Sequence, residues 1–108
     1  MNIQFLYFED CPSHDKALER LQQVMAEANI EATIEIISVE TDDQAQQWQF
    51  TGSPTILIEG QDIVPPLDTS YGLSCRTYQW PDGRISPLPS PEMIRAALRA
   101  AVHAGAER

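Results

Sequence analysis

Hydrophobic positions along the chain follow two different periods, and the shorter period predicts strands. In residues 2–8, NIQFLYF, apolar side chains face both sides of an extended chain, which is typical of a strand covered on both faces of a sheet. Residues 33–39, TIEIISV, are rich in β-branched side chains and predict a second strand. A third strand is predicted at residues 55–59, and residues 62–64 can return beside it as a short antiparallel partner.

The longer period, with apolar residues three and four positions apart, predicts an amphipathic helix after the first strand. Pro12 suits its first position, where a missing N–H costs nothing, and Asn29 is a plausible stop. The side chains predicted to face inward are Ala17, Leu18, Leu21, Val24, Met25 and Ala28.

Two further helices are predicted later in the chain. Residues 40–50 form a weaker helix capped by Thr41 or Asp42, and Ser90 caps a last helix that begins at Pro91. The inward side chains are Ala45, Trp48 and Phe50 in the former and Ile94, Ala97, Leu98, Ala101 and Val102 in the latter.

The resulting order is β-α-β-α-β-β-α in a single domain, residues 1–108. The first strand, helix and second strand form a right-handed crossover with parallel strands, and a hairpin completes a four-stranded mixed sheet flanked by helices. Residues 65–89 hold no period and predict a long irregular loop, a kind of segment that is usually functional or disordered. Its aromatic residues, Tyr71, Tyr78 and Trp80, favour packing over disorder.

Composition narrows the classes of partner. With 108 residues, 43% of them apolar, the chain can bury a core without disulfides. Its 7 basic and 16 acidic residues give a net charge of −9, which disfavours nucleic acids and anionic membranes as partners. We find neither a membrane-spanning run nor a signal peptide and expect a cytoplasmic protein, in which cysteines are kept for chemistry or as small core residues. The oligomeric state cannot be read from the sequence.

The segment FEDCPSHDKAL, residues 8–18, places Cys11 where the first strand gives way to a helix. A helix N-terminus lowers the pKa of a thiol, whereas Glu9 and Asp10 would raise it if they point at the sulfur. His14 lies on the same helix face, three residues on. Cys11 is therefore either a reactive thiol or an idle one, and His14 is a thiolate partner, a metal ligand or a surface residue.

Together these features resemble the thioredoxin-fold superfamily. Three observations coincide: the order of the elements, the Cys-Pro pair that begins at Cys11, and the SPT of residues 53–55 at the start of the third strand. The separation of Cys11 from Pro54 also resembles that between the first active-site cysteine and the cis-proline of thioredoxins. The resemblance covers nearly the whole chain apart from residues 65–89.

The resemblance implies roles for individual residues. Cys11 would be the nucleophile, and Pro12, Ser53 and Pro54 would border the substrate, with a cis bond before Pro54 leaving the Ser53 backbone free to pair with an extended peptide. His14 stands where the family has its second, resolving cysteine. The motif is thus CPxH in place of CxxC, and an imidazole cannot release a mixed disulfide as a thiol does.

Cys75 lies in the irregular loop and leaves three alternatives open. It could resolve the chemistry of Cys11 by closing a Cys11–Cys75 disulfide. It could instead hold a soft metal ion together with Cys11 and His14. It could also be a semi-buried residue that packs with Leu73 and Tyr78.

Three hypotheses for the function follow. The first is a thiol-dependent redox protein that uses Cys11, with or without Cys75, needs no cofactor, and exchanges with a protein thiol or disulfide or with a small one such as glutathione. The second is a soft-metal binder with Cys11, His14 and Cys75 as ligands. The third is a non-enzymatic binding module that uses the edge at Pro54 and the long loop.

Overall fold

The computed structural model describes residues 2–11, 13–64, 71–73 and 75–106, the last four of them by their backbone only. Within these residues the chain is a mixed α/β structure with a four-stranded sheet and three helices. The elements in chain order are β1 (Asn2–Tyr7), α1 (His14–Glu27), β2 (Thr33–Ser38), α2 (Asp42–Trp48), β3 (Thr55–Ile58), β4 (Gln61–Asp62), β5 (Tyr78–Gln79), β6 (Ile85–Ser86) and α3 (Pro91–Ala106). Pro12, predicted to begin the first helix, lies outside the described residues.

The main sheet has the strand order β2-β1-β3-β4 and is mixed, as predicted. β1 pairs in parallel with β2 and antiparallel with β3, which in turn pairs antiparallel with β4. β1 is thus an inner strand, and Ile3, Phe5 and Leu6 are fully buried on its two faces. This confirms the prediction that the first strand is covered on both sides.

The sheet separates two apolar clusters, because successive side chains of a strand point to opposite faces. The larger cluster lies between the sheet and the helices α1 and α3, and its buried members are Ile3, Phe5, Ala17, Leu21, Val24, Met25, Ile56, Ile58, Ile94 and Leu98. The smaller cluster lies on the α2 side and contains Leu6, Val39, Ala45 and Phe50.

Two predicted helix caps are confirmed and a third helix start is left uncapped. The Thr41 hydroxyl accepts a hydrogen bond from the Gln44 amide at 3.1 Å, and the Ser90 hydroxyl accepts one from the Met93 amide at 3.2 Å. At α1 the capping position is held by Ser13, whose side chain makes no capping hydrogen bond.

Trp48 is exposed, at 36%, so the prediction that it faces inward is wrong. α2 ends at this residue, and Gln49 then takes a left-handed conformation with φ of +54°. The chain turns there, and Phe50 enters the core in place of Trp48.

Val102, at 45% exposed, is also wrongly predicted as inward. Near the start of α3, Arg20 donates a hydrogen bond to the Pro89 carbonyl, and one turn into α3 Arg95 pairs with Glu27, the last residue of α1. α3 therefore continues beyond the end of α1 and leaves Val102 without a helix to pack against.

The predicted irregular loop contains a second, two-stranded sheet formed by β5 and β6. Its turn is closed by hydrogen bonds from the Trp80 amide to the Arg84 carbonyl and from the Gly83 amide to the Trp80 carbonyl, both at 2.8 Å. The Trp80 indole also donates to the Leu88 carbonyl at 2.8 Å. Tyr78 and Trp80 are packed as predicted, whereas Tyr71 is exposed, so for Tyr71 the prediction is wrong. Residues 65–70 and Ser74 lie outside the described part.

Among the described residues, no helix is long and apolar enough to cross a bilayer.

Candidate functional site

Cys11 and Cys75 are joined by a disulfide bond, although they stand 64 residues apart in the chain. Their Cα atoms lie 5.7 Å apart. The loop that carries Cys75 therefore reaches back to the start of α1. Cys75 is exposed and bonded to sulfur, so the alternative of a semi-buried residue packed with Leu73 and Tyr78 is wrong.

Cys11 occupies the turn between β1 and α1 and is only 1% exposed. Its amide donates a hydrogen bond to the Phe8 carbonyl at 2.9 Å, which closes the turn after the strand. The Ser13 side chain makes no capping hydrogen bond and so does not satisfy the first amide N–H groups of α1. Such groups stabilise a nearby anion, including a thiolate.

His14 is the first residue of α1 and is held by two neighbours. Its ring centroid lies 4.6 Å from that of Tyr7, and its Nδ1 lies 3.3 Å from the Asp15 carboxylate. The acidic residues before the cysteine, Glu9 and Asp10, are exposed.

The predicted ligand set Cys11, His14 and Cys75 does not form a metal centre in this state, since both sulfurs share a covalent bond. No group of three or more His, Cys, Asp or Glu side chains within the described ranges is arranged to hold a metal ion.

Ser53 and Pro54 lie beside the disulfide, and the peptide bond between them is cis, as the resemblance implies. The Ser53 backbone, however, is not free: its carbonyl accepts a hydrogen bond from the Arg76 amide at 2.9 Å, and Ser53 forms a parallel bridge with Cys75. The edge predicted to receive an extended peptide is occupied by the chain's own residues. A peptide partner would have to displace them.

Arg76 fixes the segment that carries Cys75. Its guanidinium is buried, with Nη1 2.7 Å from the Asp62 carboxylate and Nη2 3.0 Å from the Val64 carbonyl oxygen, and it lies 4.4 Å from the centre of the Tyr78 ring. Arginine suits such a position because its planar group is weakly hydrated and offers several donors. We call Arg76, Asp62, Val64 and Tyr78 the loop anchor.

Tyr78 adds a contact to the cis-proline segment. Its hydroxyl donates a hydrogen bond to the Pro54 carbonyl at 2.6 Å. Burial raises the pKa of Tyr78 well above its usual value, so the hydroxyl stays protonated and remains a donor at neutral pH.

Gly52 allows the close approach of the two segments. It has φ of +141°, and a Cβ atom built on it would lie 2.7 Å from the Arg76 backbone nitrogen. Glycine is thus required here on two grounds, backbone conformation and space.

The sequence did not indicate that Cys75 is held in position by Gly52 and by the loop anchor. Two signals for them exist. Arg76 and Tyr78 stand two residues apart after a cysteine, which places both on one side of an extended chain. Gly52 directly precedes the Ser-Pro pair, where a close backbone approach often requires glycine.

Comparisons of the chain with models of known protein families, with curated proteins and with solved structures give no match.

Proposed function

We propose that this chain is a thioredoxin-like thiol–disulfide redox protein whose working pair is Cys11 and Cys75. The observation that carries the proposal is the disulfide between these two residues. Two sulfurs held at bonding distance can cycle between a dithiol and a disulfide without a second cysteine in the CPxH motif.

The surroundings of the pair support a thioredoxin-like assignment. Cys11 lies between β1 and α1, and Pro54 directly precedes β3, both at the places that the resemblance implies. His14 takes the position of the family's resolving cysteine, and the loop supplies the second sulfur from Cys75.

The partner of such a pair is a thiol or disulfide, either a small molecule such as glutathione or a protein. No cofactor is required, because the electrons are carried by the sulfur–sulfur bond. We expect the protein to work in the cytoplasm, where disulfides are usually transient and serve catalysis or redox sensing.

The test is to treat the reduced protein with one equivalent of hydrogen peroxide and to map the product. Two thiols and one peroxide give one disulfide and two molecules of water. Trypsin separates the cysteines into residues 1–16 and residues 21–76. We expect loss of both free thiols and a disulfide-linked pair of these peptides.

The Cys75→Ser variant is the control and should yield no linked peptide. Oxidation of Cys11 alone in the unaltered protein would replace the two-cysteine proposal with chemistry of a single thiol. If neither sulfur reacts, the proposed function is wrong.

A further inference from the structure

The two sulfurs of the disulfide belong to residues with very different access to solvent. Cys11 is 1% exposed, whereas Cys75 lies on the surface. From this difference, and resting on the proposed function, we infer that Cys75 is the sulfur that exchanges with an external thiol. Cys11 is then the thiol that leaves and returns inside the protein, the reverse of the order that the resemblance implies.

Access decides which sulfur is attacked. The incoming thiolate must approach along the line of the sulfur–sulfur bond, on the side away from the leaving sulfur. Cys75 is an exposed residue, so we expect attack on its sulfur to start from solvent. Attack on Cys11 would need the incoming sulfur to enter the packed turn between β1 and α1.

The leaving group favours the same order. Exchange is faster when the departing thiol forms a stable thiolate. Cys11 precedes the N-terminus of α1 by three residues, and the Ser13 side chain makes no capping hydrogen bond there, so we expect the helix end to favour a thiolate on Cys11. Cys75 has no such advantage from its neighbour Arg76, whose guanidinium is bound to Asp62 and to the Val64 carbonyl.

The loop anchor keeps Cys75 in place when the sulfur–sulfur bond is broken. The bonds from Arg76 to Asp62 and Val64, and the pairing of its amide with the Ser53 carbonyl, involve neither sulfur. A mixed disulfide on Cys75 therefore stays within reach of the Cys11 thiolate.

The reaction balances as two exchanges. In the first, an external thiolate bonds to the Cys75 sulfur, the bond to Cys11 breaks, and its electron pair leaves on Cys11. In the second, another external thiolate bonds to the external sulfur of the mixed disulfide and releases the Cys75 thiolate. The protein disulfide gains two electrons, two external thiols become one external disulfide, and the protons lost by the external thiols are taken up by the cysteines.

The experiment treats the oxidised protein with glutathione and stops the reaction at short times with N-ethylmaleimide, which blocks the released thiol. Tryptic mapping then shows which peptide carries glutathione. We expect glutathione on the peptide of residues 21–76 and maleimide on the peptide of residues 1–16. This product should exceed the one with glutathione on residues 1–16 by roughly tenfold, because exchange rates follow access to the attacked sulfur. In urea, where both sulfurs are exposed, this preference should disappear.

A second measurement uses the two single-cysteine variants in reduced form. Cys11→Ser, which keeps Cys75, should react with glutathione disulfide roughly tenfold faster or more than Cys75→Ser, which keeps Cys11. Circular dichroism confirms that each variant is folded.

Three outcomes are distinguishable. Glutathione on Cys75 together with the faster reaction of Cys11→Ser supports the inference. Glutathione mainly on Cys11, or a faster Cys75→Ser, overturns it and leaves the two-cysteine redox function standing. A native disulfide that glutathione reduces only in urea removes the proposed function and this inference with it.

Discussion

The Nη1 atom of Arg76 lies 2.7 Å from the Asp62 carboxylate, and this ion pair joins the loop that carries Cys75 to β4. The pair is buried on the arginine side and partly exposed on the aspartate side. The position of one cysteine of the disulfide thus depends on a contact that contains no sulfur.

Replacing Arg76 with methionine should lower the free energy of unfolding by about 3 kcal/mol, because the partly buried Asp62 carboxylate and the Val64 carbonyl both lose their donor. Urea unfolding of the oxidised protein measures it. Arg84→Met is the matched control, because Arg84 pairs with Asp82 on the exposed surface, and it should leave the stability unchanged. Equal effects of the two substitutions would mean that the Arg76 pair does not hold the loop.

Tyr78→Phe should lower the free energy of unfolding by about 1–3 kcal/mol at neutral pH, because the buried Pro54 carbonyl loses its donor.

The buried tyrosine also makes stability depend on pH. Its pKa is raised by burial and by Asp62, with Arg76 opposing, so the folded state keeps a proton that the unfolded state loses. The contribution is complete below the ordinary tyrosine pKa of about 10 and is lost as the pH rises above it.

Urea unfolding at neutral and at alkaline pH tests this dependence. Tyr78→Phe should lose less stability between the two conditions than the unaltered protein. Tyr71→Phe is the control, since Tyr71 is exposed, and should behave like the unaltered protein. A Tyr78→Phe variant with undiminished alkaline loss would contradict the assignment.

Gly52→Ala should destabilise the protein by more than about 2 kcal/mol, because the new Cβ meets the Arg76 backbone and the φ of +141° disfavours a side chain. It should also slow reoxidation of the reduced protein by pushing Cys75 away from Ser53. Gly72→Ala is the control, because a Cβ there meets nothing within 4 Å. Thermal unfolding measures the loss of stability, and the rate of thiol loss measures reoxidation. Equal results for Gly52→Ala and Gly72→Ala would contradict the close approach of Gly52 to the Arg76 backbone.

Reduction of the disulfide should lower the free energy of unfolding by about 4 kcal/mol, as expected in the chain-entropy model for a cross-link between residues 64 positions apart. Urea unfolding with and without a reductant measures the difference. The Cys11→Ser, Cys75→Ser double variant is the control and should not respond to the reductant. A difference near zero would mean that the reduced, unfolded chain already holds Cys11 and Cys75 close together.

Much of the fold could be predicted because its signals are local. The apolar positions of residues 2–8 follow a period of two, and those of α1 follow the helical period, so strand, helix and crossover emerge from neighbouring residues. Thr41 and Ser90 could be assigned as caps for the same reason, since a cap bonds within its own turn. The error at Trp48 lies at the end of α2 and the error at Val102 in the part of α3 that extends beyond α1, and in both places packing and not period decides burial.

The arrangement of the site could be predicted only in part. Cys11 and Pro54 stand at places that a local pattern indicates, but the contact of Cys75 with Cys11 depends on the path of a whole loop. Arg76 appears in the sequence as an ordinary polar loop residue, and only its partner Asp62, 14 residues away, makes its burial favourable. Pairing over such distances leaves no period in the sequence.

The contacts that hold the Cys75 segment involve neither sulfur, so we expect the fold to keep Cys11 and Cys75 together when their covalent bond is broken. In an unfolded chain the same two thiols, 64 positions apart, meet only when the segment between them happens to close a loop. By a thermodynamic cycle, the free energy by which the cross-link stabilises the fold equals the free energy by which folding favours formation of the cross-link. The side-chain bonds of Arg76 and Asp62 involve neither sulfur, although Arg76 directly follows Cys75. We therefore expect a substitution at either residue to change the ratio of reduced to oxidised thiol in the solution at which half of the protein molecules are reduced.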